Sequence, residues 1–355
     1  MGLVRHREDI LPDVLALLRR GTVIPAHLLA LDANRRVDAR RQRALTRYYV
    51  DAGAGGIAVG VHATQFAIRD AGLYEPVLKL AVDAVREWTT RPMVLVAGLA
   101  GGTAQARREA EIARELGFHA GMLSLGAMRG ATEDALVAHC LAVSRVMPLV
   151  GFYLQPAVGG IELGTGFWRR FAEIENVVAI KVAPFNRYRT LDVVKGVVAA
   201  RAEDRVTLYT GNDDHIVGDL VTPFVVPRGG EPVTVRIRGG LLGHWGVWTT
   251  SAVRLLETLH AAVAQDAVDQ SILALDAKVT DANAAFFDVA NGFRGCIAGC
   301  HEVLRRQGLF AGRWCLDPEE DLSPGQAEEI ARVTAAYPEF DDTPFVRANL
   351  HRWLA

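Results

Sequence analysis

The sequence predicts an α/β protein, a (β/α)8 TIM barrel with a C-terminal helical extension. Short β-branched apolar runs alternate with amphipathic stretches that open on helix-capping residues, and the rhythm holds from residue 22 to residue 210. Repeated β-α units on short connections mean parallel strands, closed as a barrel or open and doubly wound. The turn after the first run lacks the glycine fingerprint of a dinucleotide-binding open sheet, which favours the barrel. With 355 residues, 50% of them hydrophobic, the chain can bury the core of such a barrel in one body.

The elements follow in order. Thr22 to Leu31 reads as a first strand, and Asp38 caps a helix to about Ala52 that Gly53-Ala54-Gly55-Gly56 stops. Ile57 to Gly60 is the second strand, followed by the polar turn His62-Ala63-Thr64-Gln65 and a helix from Tyr74 to Trp88. Met93 to Ala97 is the third, with a Thr103-capped helix to Gly117, and Ala120 to Leu125 the fourth, with a Thr132-capped helix to Met147. Strands five to seven are Leu149 to Leu154, Val177 to Ala183 and Val206 to Thr210, with helices near Gly166 to Ile174 and Thr190 to Ala200 between them. Val221 to Arg238 then reads as an inserted β-hairpin around Pro-Arg-Gly-Gly-Glu, before an eighth strand in the glycine-rich stretch Gly239 to Gly246. From Thr249 the pattern is helical: Ser251 to Ala264, Gln270 to Ala290, Gly295 to Gln307 and Pro324 to Tyr337. The reading is a barrel over 1–248 and its last helix plus an extension over 249–355.

Composition excludes several classes. Lys+Arg 39 against Asp+Glu 41 gives a formal charge of -2, so no global field favours nucleic acid or an anionic membrane. No apolar run approaches membrane-spanning length, and MGLVRHREDILPD is too charged for a secretory signal, so the expected location is cytoplasmic. Cys140, Cys296, Cys300 and Cys315 are too few and scattered for a disulfide scaffold, and Cys296…Cys300-His301 has no usual zinc spacing. No metal and no cofactor is expected.

The residue that draws attention is Lys181, flanked by Val177-Val178-Ala179-Ile180 and Val182-Ala183. Burying an ammonium without a partner is costly, so a lysine there tends to lose its proton, and a neutral amine condenses with carbonyl compounds to a Schiff base. The competing reading puts Lys181 at the strand's end, snorkelling outward or paired with a carboxylate. Tyr153 lies near the end of the preceding strand, where a structural role is the simplest reading of a tyrosine taken alone.

Taken together, Gly55-Gly56-Ile57-Ala58-Val59-Gly60, Ala97-Gly98, Tyr153-Leu154-Gln155-Pro156, Ile180-Lys181 and Gly211-Asn212-Asp213, in this order, resemble the dihydrodipicolinate synthase/N-acetylneuraminate lyase family over nearly the whole chain. The resemblance implies a (β/α)8-barrel class I lyase, aldolase or dehydratase acting on a 2-keto acid, pyruvate-using or pyruvate-producing, and a homo-oligomer, tetramer or dimer. It assigns the imine to Lys181 and proton transfer to Tyr153. A protonated imine is an electron sink for the carbanion formed beside it, and a tyrosine hydroxyl can serve as acid and base there.

Departures from the family refine this. Its Gly-Thr-Thr-Gly-Glu turn is here Gly60-Val61-His62-Ala63-Thr64, so carboxylate binding falls to backbone amides of Val61 and Ala63 and to Thr64, with His62 or Thr64 replacing the relay threonine. Gln155-Pro156-Ala157-Val158-Gly159-Gly160 lacks the arginine that the synthase uses to bind an acidic aldehyde, and Ser124-Leu125-Gly126-Ala127-Met128-Arg129 lacks Pro-Tyr-Tyr, which speaks against the namesake reaction. After the lysine, Val182-Ala183-Pro184-Phe185-Asn186-Arg187 replaces Asp-Ser-Ser-Gly, with Asn186 and Arg187 as polar contacts. Asp213 is a substrate-binding candidate, and Glu162, His215, His244 and Trp245 stand behind it, each more simply read as surface or packing. Two other classes remain: a keto-acid or sugar-acid binding protein without turnover, and a metal-dependent barrel hydrolase drawing on His27, His62, Asp213, His215 and His244.

Overall fold

The structure, a computed structural model, describes residues 3–355. Helix α1 (Pro12–Arg20) precedes β1 (Val23–Pro25), α2 (Ala39–Asp51), β2 (Gly56–Val59), α3 (Tyr74–Trp88), β3 (Val94–Leu99), α4 (Thr103–Leu116) and β4 (Ala120–Leu123). Then come α5 (Glu133–Ser144), β5 (Leu149–Leu154), α6 (Thr165–Glu173), β6 (Val177–Ala183), α7 (Arg187–Ala199), β7 (Thr207–Thr210) and a short α8 (Ile216–Val221). The hairpin β8 (Phe224–Arg228) and β9 (Glu231–Val235) leads into β10 (Ile237–Leu242), and α9 (Thr249–Ala262), α10 (Gln270–Phe286), α11 (Cys296–Gln307), α12 (Gln326–Ala336) and α13 (Thr343–Trp353) follow.

Eight strands form one sheet in the order β1-β10-β7-β6-β5-β4-β3-β2, and the two end strands meet through a parallel bridge from Ala26 to Ala58. The adjacent pairs from β3 to β7, and β7 with β10, are parallel. With a helix after nearly every strand, this is the expected (β/α)8 barrel. The two remaining strands form the expected hairpin: Arg228 pairs with Glu231 across Gly229 and Gly230, whose φ of +61° and +90° only glycine adopts at low cost in so tight a turn. Arg228 ties the hairpin to α7 by donating to the carbonyl of Val198 (2.9 Å) and to Glu203 (2.6 Å).

By internal contacts the chain falls into two units, residues 1–22 with 92–241 and residues 23–91 with 242–355. In the first, β3, β5 and β6 are buried almost throughout, as strands covered on both faces must be. In the second, the first strand is far shorter than the apolar run suggested. His27 to Ala30 is buried loop, and α2 supplies the hydrogen bonds that a neighbouring strand would: Gln42 accepts from the amide of Ala30 (2.7 Å) and donates to the carbonyl of Leu28 (2.8 Å). Helices α1, α8 and α13 were not read from the sequence, although α1 opens on Pro12, carries Asp13 in its first turn and ends on Arg19 and Arg20. Asp38 caps α2 as expected, accepting from Arg41 N–H at 3.0 Å, whereas the residue before Thr103 that caps α4 is Gly102.

Candidate active site

In the first unit, Lys181 is the one residue of β6 that is not buried. Its Nζ lies 4.7 Å from the centre of the Phe152 ring, and Phe152 is its register partner in β5. The stem of the lysine leans on the end of β7. A Cβ placed on Gly211 would come within 2.5 Å of Lys181 Cε and 2.7 Å of Ala183 Cβ, so the glycine is what makes room for the side chain. A half-buried primary amine near the carboxyl end of a parallel strand is where barrel enzymes place reactive groups.

Tyr153 is on the other face of β5. Register pairs Phe152 with Lys181, and neighbouring residues of a strand point to opposite sides. A Cβ on Gly151, the like-facing residue two positions earlier, would meet Phe171 of α6, and the Tyr153 ring packs on Trp168 of the same helix with centroids 5.3 Å apart. The hydroxyl accepts the Leu163 N–H at 3.1 Å. Burial raises the phenol's pKa and the Leu163 amide opposes that rise.

The loops after β6 and β7 are locked together by groups that no motif advertised. Asp219, fully buried in α8, accepts from Thr210 Oγ1 (2.6 Å), Asn212 Nδ2 (2.9 Å) and Arg187 Nη1, and burial pushes its carboxyl up. Asn212 also accepts the Phe185 N–H at 3.0 Å, holding a residue whose φ of +51° lies in the left-handed region. Asn186 caps α7, its Oδ1 accepting from the amides of Tyr188 (3.0 Å) and Arg189 (3.3 Å). Asp213 follows Asn212, half-buried. Glu162 pairs with Arg189 at 2.9 Å, and His215 packs on Gly218. In the loop after β5, Gly160 packs so tightly on the Leu154 carbonyl that no side chain fits, and Arg129, from the loop after β4, donates to the Gly160 carbonyl at 2.9 Å.

In the second unit, the turn after β2 is a single 3-10 turn, His62–Thr64, closed by Thr64 N–H to the Val61 carbonyl (3.0 Å) and Gln65 N–H to the His62 carbonyl (2.8 Å). Those bonds do not use the amides of Val61 and Ala63. The Thr64 hydroxyl is buried, donating to the His27 carbonyl at 2.6 Å and accepting the Gly60 N–H at 3.0 Å. His62 is half-buried, edge-on to Phe66 at 5.9 Å. His27 and His244 are wholly buried and hydrogen-bonded, to Thr46 (2.8 Å) and to Asn283 respectively, and burial lowers both to about 4. Trp245 is buried as well. Among the described residues, no three His, Cys, Asp or Glu side chains are grouped to hold a metal ion, and no helix is long and apolar enough to cross a membrane.

Comparison with known proteins gives this arrangement a context. The chain is 28% identical over 165 residues to 4-hydroxy-tetrahydrodipicolinate synthases of two Bifidobacterium longum strains, DJO10A and NCC 2705; the match takes in 46% of this chain and 53% of theirs, so the chain spans about half the length of the curated relatives it matches. Its fold is similar to that of dihydrodipicolinate synthase from Aquifex aeolicus (TM-score 0.73, 17% identity, 90% of this chain and 99% of that one). It is also similar to CdNal from Clostridium difficile, solved in complex with mannosamine (TM-score 0.72, 14% identity, 89% and 99%). The model of the Dihydrodipicolinate synthetase family matches residues 19–222, which include β6 with Lys181, β5 with Tyr153 and the turn after β2, and the chain belongs to that family.

Proposed function

We propose that the protein is a class I lyase, an aldolase or dehydratase, that forms a Schiff base with a 2-keto acid and uses or releases pyruvate. The observation that carries this reading is Lys181: a half-buried amine in an otherwise buried strand, with Gly211 keeping its stem clear. Its nitrogen adds to the keto carbon, the carbonyl oxygen leaves as water, and the protonated imine accepts the electron pair released when a C–C or C–H bond beside it breaks. Tyr153 is assigned proton transfer. The amides of Val61 and Ala63, with Thr64, are assigned the keto acid's carboxylate, and His62 the relay. Asn186, whose Oδ1 is occupied as a helix cap, is assigned a substrate contact through Nδ2, and Asp213 is assigned a second contact. The protein acts as a dimer or tetramer in the cytoplasm, on a small molecule, with no nucleic acid, membrane, metal or cofactor required.

Dihydrodipicolinate synthesis itself is not proposed. The loop after Tyr153 lacks its own arginine, and two that reach it from other elements hold the loop itself, Arg129 through the Gly160 carbonyl and Arg189 through Glu162. Condensation of pyruvate with an acidic aldehyde is therefore expected to yield no product above the background of heat-killed protein.

The test is borohydride reduction in the presence of pyruvate, followed by peptide mass spectrometry. A pyruvyl adduct on Lys181, lost in Lys181→Ala, supports the reading; no adduct with pyruvate or with a panel of keto acids overturns it. A second reading, ligand binding without turnover, is favoured by Tyr153 facing α6 with its hydroxyl engaged by Leu163. An adduct at Lys181 without product from any substrate in the panel would select it.

A further inference from the structure

Within the second unit, the segment that follows α11 borders an open cavity of about 500 Å³ whose lining shares no residue with those assigned to the keto acid. Arg35, Arg305, Arg313, Trp314, Glu320 and Asp321 line it. Such a volume falls in the range of small-molecule sites. The guanidinium groups are held in place: Arg305 by a two-point pair with Glu302 (2.7 and 2.8 Å), Arg313 by one with Asp321 (2.5 and 3.3 Å), and Arg35 by the Cys315 carbonyl. The pairs use Nε and Nη2 of Arg305 and Arg313, so Nη1 of each stays outside them, as do Nε and Nη2 of Arg35. Glu302 balances Arg305 and Asp321 balances Arg313, whereas Arg35 is met by the Cys315 carbonyl. Glu320, pushed up to about 7 by burial and by Asp317 beside it, carries only part of its charge at neutral pH.

The aromatic wall is fixed in the same way. A Cβ on Gly312 would fall 2.6 Å from the Trp314 ring, so the ring is seated on a bare backbone. The segment is fastened by the Leu316 amide, which donates to Gln65 Oε1 at 2.6 Å.

We infer that this cavity is a binding site for a small organic oxyanion, a carboxylate or phosphate carried on a flat body, whose charge is met by Arg35, Arg305 and Arg313 and whose face rests on Trp314. Preset guanidinium groups beside an aromatic plane are the usual means of holding such a group, and hydrogen bonds to charged partners are each worth a clear change in affinity. Its lining does not include Lys181, and the inference stands whether or not the Schiff-base chemistry does.

The experiment is isothermal titration calorimetry of the full chain with 1-naphthoate, phenyl phosphate and inorganic phosphate, at fixed ionic strength, with tetramethylammonium as the cation control. The two aromatic anions are expected to bind in a one-to-one complex and inorganic phosphate about tenfold more weakly; the stronger aromatic arm tells carboxylate from phosphate. Arg313→Gln is expected to weaken binding at least tenfold, at little cost to a fold in which its partner is an exposed acid. Gly312→Ala is expected to weaken the aromatic ligands alone, by displacing the ring. Lys181→Ala is expected to bind as the wild type does. Absence of binding by all three anions, or binding unchanged in both Arg313→Gln and Gly312→Ala while lost in Lys181→Ala, overturns the inference.

Discussion

The edge formed by β6 and β7 and the turn after β2 treat their polar groups in opposite ways. Around Lys181 the neighbours make room: Gly211 withholds a side chain, and Phe152 lays an aromatic face beside the amine. In the turn, the Thr64 hydroxyl is committed at both ends, to the His27 carbonyl and from the Gly60 amide. The contrast teaches that a family motif divides into groups kept for chemistry and groups that hold the loop bearing them. Hydrogen-bond partners separate the two; residue type does not.

Lys181→Ala should break the comparison most completely. The pyruvyl adduct should vanish while the far-ultraviolet circular dichroism and the urea midpoint stay within error, because the substitution truncates the one half-buried residue of β6 and leaves its buried residues in place. Next comes Tyr153→Phe. If the hydroxyl moves a proton in the reaction, turnover should fall by about 10²- to 10⁴-fold with adduct formation preserved. Unchanged turnover with a loss of roughly 1 kcal/mol in stability would leave the hydroxyl only the Leu163 amide to serve.

Thr64→Val tests the other side. Two buried backbone groups lose their partner, so the expected cost is about 3 kcal/mol in urea unfolding; a stable variant with lost turnover would instead make the hydroxyl a relay. Acid should act on the second unit through His27, His244 and His301, which burial holds neutral with values of about 4. Because the unfolded chain takes up these protons near pH 6.5, stability drains as pH falls from about 6.5 through about 4. Asp219 of the first unit has the opposite sign: its raised carboxyl is protonated in the native state before the unfolded one, so acid favours folding there. Urea midpoints at pH 7.5 and 5.0 should show the histidine loss, three groups titrating across that interval against the opposing gains of Asp219 and of Glu320, which is raised to about 7.

Much of this was legible in the sequence, for reasons that can be named. β5 and β6 fall at Leu149–Leu154 and Val177–Ala183, as read, because short, largely apolar runs between turn residues suit strands covered on both faces of a parallel sheet. The same signal overextended β1, since a buried loop whose amides are satisfied by Gln42 is just as apolar as a strand. Lys181 drew attention through the apolar residues on either side of it, and the structure leaves it half-buried. The face of Tyr153 could not be read, because a shift of one residue in register turns every side chain of a strand over and no local pattern records which register β5 takes against β6. The Asp219 network was hidden for a similar reason: Asn212 and Arg187 drew attention as motif and polar-contact residues, but Thr210 and Asp219 did not, and the four meet only when α8 folds back on β7.

Gly211→Ala asks for the smallest change and separates the two regions most finely. Its backbone lies outside the left-handed region, so alanine brings no torsional strain, only a methyl group. That methyl lands 2.5 Å from Lys181 Cε and 2.7 Å from Ala183 Cβ, closer than carbon atoms can rest, and the lysine is the more movable partner. The amine is still present and still basic, but its stem must swing to another rotamer. Adduct formation should slow by about tenfold, or 1.4 kcal/mol in the barrier, with the urea midpoint falling by less than it does in Thr64→Val. An unchanged rate of borohydride trapping would mean that Lys181 reacts from a pose other than the one Gly211 accommodates, and the glycine would then belong to the packing of β7 alone.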